Sequence, residues 1–100
     1  MATLYLVRVE LVGVAHGSET YTKLHTKMEA AGLTRQIASG GTTYKLPPAE
    51  YALFKEGTDA PFVKDSAVKA GTGLTVAAPK VVVARSSGAA TDFAYANLET

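Results

Sequence analysis

The 100-residue chain has no cysteine and no tryptophan. Without cysteine it forms no disulfide, offers no thiolate to a metal and has no thiol nucleophile. No apolar run in the sequence approaches the ~20 residues that a membrane-spanning helix needs. Neither sign of charge is in large excess, because ten Lys and Arg residues stand against nine Asp and Glu residues, which gives a net charge of +1. A balance this close identifies neither a nucleic-acid nor a membrane partner.

The residues that are present predict one folded domain. Leu, Ile, Val and Phe total 23 residues, above the ~20% below which chains rarely support a packed core. Arg8 and Glu10 interrupt the first apolar stretch, so it does not read as a secretory signal peptide, and we expect a cytoplasmic protein. We expect residues 1–85 to form the domain and residues 86–100 to form a mobile tail, since that end is small and polar.

Two repeats of apolar residues, one at strand spacing and one at helix spacing, predict a strand followed by a helix in the first third of the chain. Residues 3–12 alternate, which predicts a strand whose buried face carries every second residue, namely Tyr5, Val7, Val9 and Leu11. Residues 18–31 repeat at helical spacing through Tyr21, Leu24, Met28 and Ala31. Ser18 is the predicted N-cap of this helix. Gly32 is expected to end it in a left-handed conformation.

The second half of the sequence predicts a hairpin, a helix and a strand. Gly40-Gly41 separates the strand-like runs 33–39 and 42–46, which predicts a hairpin. Residues 49–57 fit a loop or one helical turn. Thr58 is the expected cap of a second helix, whose apolar stripe is Ala60, Val63, Ala67 and Ala70. The run 80–85 is continuously apolar at its centre, which predicts a last strand covered on both faces.

The order β-α-β-β-α-β is that of a ferredoxin-like α+β domain. We therefore expect a four-stranded antiparallel sheet in the order 4-1-3-2, with both helices on one face. Tyr44 and Leu46 would face those helices. The other face would be open and would carry Leu4, Leu6, Arg8, Glu10, Thr43, Lys45, Val81, Val83 and Arg85.

Two uses of this open face follow from its residues. Leu4 and Leu6 predict a homodimer interface, because exposed apolar area usually marks a partner surface. Arg8, Lys45 and Arg85 predict a nucleic-acid platform that contacts phosphates. The predicted aromatics Tyr5 and Tyr44 fall on the opposite face, whereas RNA platforms of this fold usually stack bases on exposed rings.

Arg8 and Glu10 are also the best catalytic candidates. They lie two residues apart on one strand face, where a carboxylate could orient a water or a ribose hydroxyl and an arginine could stabilise a phosphate. The simpler interpretation is a surface ion pair. His16, in a glycine-flanked loop, is a candidate acid–base group. His16 and His25 match no metal-ligand spacing, so we predict no metal and no cofactor.

Three stretches resemble the GhoS-type family of antitoxin endoribonucleases. They are LYLVRVEL at residues 4–11, YTKLHTKMEAAGLT at residues 21–34 and TYKLP at residues 43–47, followed by Glu50-Tyr51. The resemblance covers about half of the chain, residues 4–51. It implies a ferredoxin-like fold, similar to the small nuclease subunit of CRISPR adaptation complexes.

The same resemblance implies RNA binding or metal-independent RNA cleavage in a toxin–antitoxin setting. Glu10 occupies the position of the acid at the end of the first strand, as glutamate instead of aspartate. The alternative from the residues is a non-catalytic homodimeric module that uses the open face for a protein partner.

Overall fold

The computed structural model describes residues 3–15, 17–39, 41–47 and 49–86. The predicted tail, apart from Ser86, lies outside these residues, as does His16. The elements in chain order are β1 (Thr3–Glu10), α1 (Glu19–Ala30), β2 (Gln36–Ser39), β3 (Thr42–Lys45), β4 (Glu50–Lys55), α2 (Ala60–Gly71) and β5 (Lys80–Arg85).

The described strands form two antiparallel sheets. A three-stranded sheet has the order β4-β1-β5, and β2 with β3 forms a separate two-stranded hairpin. One isolated antiparallel bridge, between Thr34 and Ala52, links the segment before β2 to β4. Gly41 has a φ of 81° and completes the turn of the hairpin as predicted. The chain is therefore a small α+β protein with two helices and antiparallel sheets.

The neighbour of β1 is not the strand that the sequence predicts. The 42–46 run forms only the second arm of the hairpin, and β4 from the 49–57 segment lies beside β1 instead. The prediction of a loop or helical turn there was wrong. After the two prolines, Ala49 adopts a φ of 68° and its carbonyl accepts a hydrogen bond from Val9. This turn brings the chain back into the sheet.

The core lies between one sheet face and both helices. The alternation in β1 is confirmed, since Tyr5, Val7 and Val9 are buried against Leu24 of α1 and Val63 of α2. Tyr44 and Leu46, expected in this core, are only half-buried on or beside β3 and do not belong to the core cluster. They are absent from it because the hairpin pairs with itself and not with β1.

Both helices begin differently in detail from the prediction. Ser18 is the N-cap residue of α1, but its hydroxyl makes no capping hydrogen bond. The cap of α2 is Asp59 instead of Thr58, because the Asp59 carboxylate accepts from the Phe62 amide at 2.9 Å. Gly32 follows α1 with a φ of 88°, as expected for a left-handed helix end.

The register of β5 corrects the predicted open face. Val81 and Val83 lie opposite Val9 and Val7 on the helix side and pack against the core. Val82 points the other way and is 66% exposed. Within the described residues β5 is thus an edge strand covered on one face only, and the continuous valine run did not indicate burial on both sides.

Candidate functional site

The face of the three-stranded sheet away from the helices is the first candidate. We call it the open face. It consists of alternate residues of the three strands, namely Leu4, Leu6, Arg8, Glu10, Glu50, Ala52, Phe54, Lys80, Val82 and Ala84. Cross-strand register places these side chains in rows, because residues directly opposite one another in adjacent strands share a face.

One end of the open face is apolar. Phe54 lies opposite Leu4 and is 71% exposed, and Leu6 lies between Ala52 and Ala84. Sequence reasoning missed Phe54, because residues 49–57 were not recognised as a strand. The alternation of Tyr51 and Leu53 with Ala52 and Phe54 was the available signal.

The other end of the open face carries paired charges. The Arg8 guanidinium lies 3.5 Å from a Glu50 carboxylate oxygen, in an exposed ion pair across β1 and β4. Glu10 lies opposite Lys80 in the register of β1 and β5. The face therefore holds two acids and two bases, so it has no net charge. Arg8 and Glu10 do share this end, as predicted.

The three predicted phosphate contacts do not share this face. Lys45 belongs to β3, in the other sheet. Arg85 lies opposite Tyr5, on the helix side of the sheet. Only Arg8 of the three stands on the open face, and Lys80 is a second cation there that the sequence did not single out. The predicted interface residues Leu4 and Leu6 are both on the face and half-buried.

A groove runs beside the apolar end. Its volume is about 280 Å³, and it lies between the hairpin and β4, lined by Leu4, Thr34, Gln36, Ile37, Ala38, Ala52 and Phe54. The Thr34–Ala52 bridge, with hydrogen bonds of 2.8 and 2.7 Å, holds the hairpin at this edge. Ile37 is buried there, outside the core between sheet and helices.

A second polar cluster lies on the helix side of the sheet. His25 of α1 and Tyr51 of β4 are joined by a hydrogen bond of 2.5 Å between imidazole Nδ1 and the phenol oxygen. Tyr51 is 0% exposed, whereas His25 is half-buried. The sequence placed His25 only at the flank of a helix, and its partner was hidden in the unrecognised strand.

Burial sets the protonation of this pair. Desolvation lowers the pKa of His25, and the nearby Arg35 charge lowers it further against the opposing effect of Glu29. Desolvation raises the pKa of Tyr51 to about 12, although Arg35 acts in the opposite direction. At neutral pH both groups are therefore uncharged.

No protein-family model, curated protein or solved structure matches this chain. In the part of the chain that the structure describes, no cluster of three His, Cys, Asp or Glu side chains could hold a metal ion. No helix among the described residues is long and apolar enough to cross a membrane.

Proposed function

We propose that this chain is a small cytoplasmic RNA-binding protein of the toxin–antitoxin type, with the open face as its RNA platform. The proposal joins the resemblance over residues 4–51 to a ferredoxin-like arrangement of the sheet. The Thr34–Ala52 bridge supports that arrangement. It places the segment just before β2 beside β4, and so adds a fourth position to the order β4-β1-β5 on the β4 side. The β2–β3 hairpin is then an elaboration of this strand.

The exposed Phe54 ring carries the proposal. It stands on the open face beside Leu4, at 71% exposure. RNA platforms built on a ferredoxin-like sheet stack bases on aromatic rings that the sheet exposes. Each stacked base contributes ~1–3 kcal/mol and tolerates any sequence, because every base has a π face. Arg8, on the same strand as Leu4, supplies a cation for the backbone once RNA competes with Glu50.

The chain offers a matched control for the stacking test. Phe62 is 61% exposed on α2, away from the open face. We expect Phe54→Ala to weaken binding of a labelled single-stranded RNA by about five- to hundredfold at low salt, as measured by fluorescence anisotropy. Phe62→Ala should leave the Kd unchanged. Equal effects of the two variants, or no RNA binding by the wild type, would contradict an RNA platform at this face.

RNA cleavage, which the resemblance implies, needs its own assay. Glu10→Gln and His16→Ala should lower the cleavage rate by ~10²-fold or more if these groups act on the transition state, with affinity retained. Arg8→Ala should weaken affinity and reduce the salt slope by about one, as a phosphate contact does. A wild type that binds RNA but gives no cleavage product on gels would contradict the nuclease and leave the RNA platform.

A second candidate function is a homodimeric interaction module. The balanced charges of the open face favour it, because two acids and two bases let the face meet a copy of itself without net repulsion. We expect Leu6→Glu to shift a dimer to monomer in sedimentation experiments. Val76→Glu is the control, since Val76 lies fully exposed in the loop before β5. A wild-type chain that is monomeric at high concentration excludes this function.

A further inference from the structure

The groove between the β2–β3 hairpin and β4 opens onto the apolar end of the open face. Three of its seven lining residues, Leu4, Ala52 and Phe54, belong to that face, and the other four come from the segment 34–38. Hydrogen bonds of 2.8 and 2.7 Å between Thr34 and Ala52 fix this segment to β4. The exposed Phe54 ring therefore lines a cleft and does not stand alone on a flat sheet.

The residues that line the groove suit a small uncharged ligand. Five of the seven side chains are apolar, and the polar groups are the Thr34 hydroxyl and the Gln36 amide. None of the seven is charged, so a phosphate there would lose its water without gaining a counter-ion. Small-ligand sites combine a mainly apolar lining with a few polar groups. The groove volume of about 280 Å³ lies just below the ~300–1,000 Å³ of such sites, which suits a single ring system.

Gln36 offers the groove a hydrogen-bond donor and an acceptor on one planar group. Its side chain is exposed at the start of β2, and its amide carries an NH₂ group beside a carbonyl oxygen. The Thr34 hydroxyl donates to the Gln36 backbone carbonyl at 3.3 Å, so its own donor is used within the segment. An amide of this kind is complementary to adenine, which presents a ring nitrogen as acceptor beside an amino group as donor.

We propose that this groove binds one unstacked adenine base. The Phe54 ring stacks on the face of the base, and the Gln36 amide forms two hydrogen bonds with its edge. The inference rests on the proposed RNA platform and deepens it, because stacking alone accepts every base whereas the amide selects one. Arg8 lies four residues from Leu4 along β1, about 13 Å away, so the phosphates that it attracts lie outside the groove.

A preference for adenine in RNA binding is the first test. Wild-type protein should bind an oligouridylate with one central adenosine about five- to hundredfold more tightly than plain oligouridylate, in fluorescence anisotropy at one salt concentration. Gln36→Leu should abolish this preference and leave the Kd for plain oligouridylate unchanged. Thr43→Leu is the matched control and should keep the preference, because Thr43 is exposed on the outer arm of the hairpin and does not line the groove.

A modified base tests the hydrogen bonds directly. Replacing the central adenine by unsubstituted purine, which lacks the amino group, should weaken binding to the wild type. The same replacement should have little effect on the Gln36→Leu variant, because the contact is already lost there. Equal losses in the two proteins would contradict a contact between Gln36 and the base.

Free adenosine separates this inference from the RNA platform. Millimolar adenosine should shift the methyl NMR signals of Ile37 and Ala38 in the groove and leave those of Val63, in the core between sheet and helices, unchanged. Such shifts without affinity for any RNA would overturn the platform and keep the adenine site. RNA binding that depends on Phe54 but shows no adenine preference would overturn the adenine site and keep the platform.

Two other occupants of the groove give different results. Methyl shifts that follow protein concentration, and not adenosine, identify a second copy of the chain. Methyl shifts that uridine causes as strongly as adenosine identify a cleft that accepts any ring. Either result overturns the adenine site.

Discussion

The two faces of the three-stranded sheet are built from the same strands but differ in how deeply their apolar residues are buried. On the helix side, Tyr5, Val7 and Val9 are buried, and Tyr51 is 0% exposed. On the open face, Phe54 and Val82 are 71% and 66% exposed. Both faces carry apolar residues, so hydropathy alone does not separate them. What differs is that, among the residues that the structure describes, two helices cover one face and none covers the other.

This comparison teaches how to assign apolar residues to stability or to binding. Removing apolar area from water contributes ~25 cal/mol per Å², and the helix side gains this in the folded monomer. The open face gains it only when something outside the described fold covers it. The predictions that follow test this division, starting from the largest effect.

Two identical substitutions on opposite faces give the sharpest test. Val7→Ala should cost about 2 kcal/mol in unfolding free energy, because Val7 is fully buried and its loss leaves a cavity. Val82→Ala should stay within about 0.5 kcal/mol. Urea denaturation at low protein concentration measures both. Equal losses would mean that Val82 is covered in solution, and the distinction between the faces would fail.

The second largest loss of unfolding free energy is expected from removing a buried hydrogen bond on the helix side. The Tyr21 phenol accepts from the Leu11 amide at 2.9 Å, in a buried setting at the end of β1. Tyr21→Phe leaves this amide without its acceptor and should cost about 1–2 kcal/mol. Tyr5→Phe is the comparison, because its phenol donates to the part-buried Thr58 carbonyl and water can replace it. A loss at Tyr5 as large as that at Tyr21 would contradict this ranking.

Tyr51, on the helix side of the sheet, should make the free energy of unfolding of the protein depend on pH in the alkaline range. Its ordinary pKa is 10.0 and its folded value is about 12. Between these values the unfolded chain has lost a proton that the folded chain keeps, so the free energy of unfolding should fall as pH rises. Chemical denaturation at a series of pH values should show a shallower decline for Tyr51→Phe. Parallel curves for the two proteins would contradict the raised pKa.

The smallest effect is expected on the open face, at the Arg8–Glu50 ion pair. Arg8→Ala should cost less than about 1 kcal/mol, because the pair is exposed at 3.5 Å and screened by water and salt. A double-mutant cycle with Glu50→Gln measures the coupling. A loss of several kcal/mol would show that the polar end of the face supports the fold.

Several local features could be read from the sequence. The alternation of β1, the helical repeat of α1 and the hairpin at Gly41 are confirmed within the described residues. Glu10 and Arg8 were rightly placed on one strand face, because period-two alternation fixes that relation within three residues. Phe54, Lys80 and Tyr51 escaped notice as site residues. Each owes its position to a strand partner far away in sequence.

The sequence by itself determined which residues of each element share a side, since backbone geometry repeats over two or 3.6 residues. Only the tertiary structure decided which strand lies beside β1, which face Val82 joins, and that His25 meets Tyr51 across 26 residues. Strand pairing depends on cross-strand packing and on register, and a shift of one residue exchanges the two faces. The turn at Ala49 brings β4 back to β1, and no repeat of apolar residues in the sequence predicts such a turn. The positions of the candidate sites therefore became visible only in the folded chain.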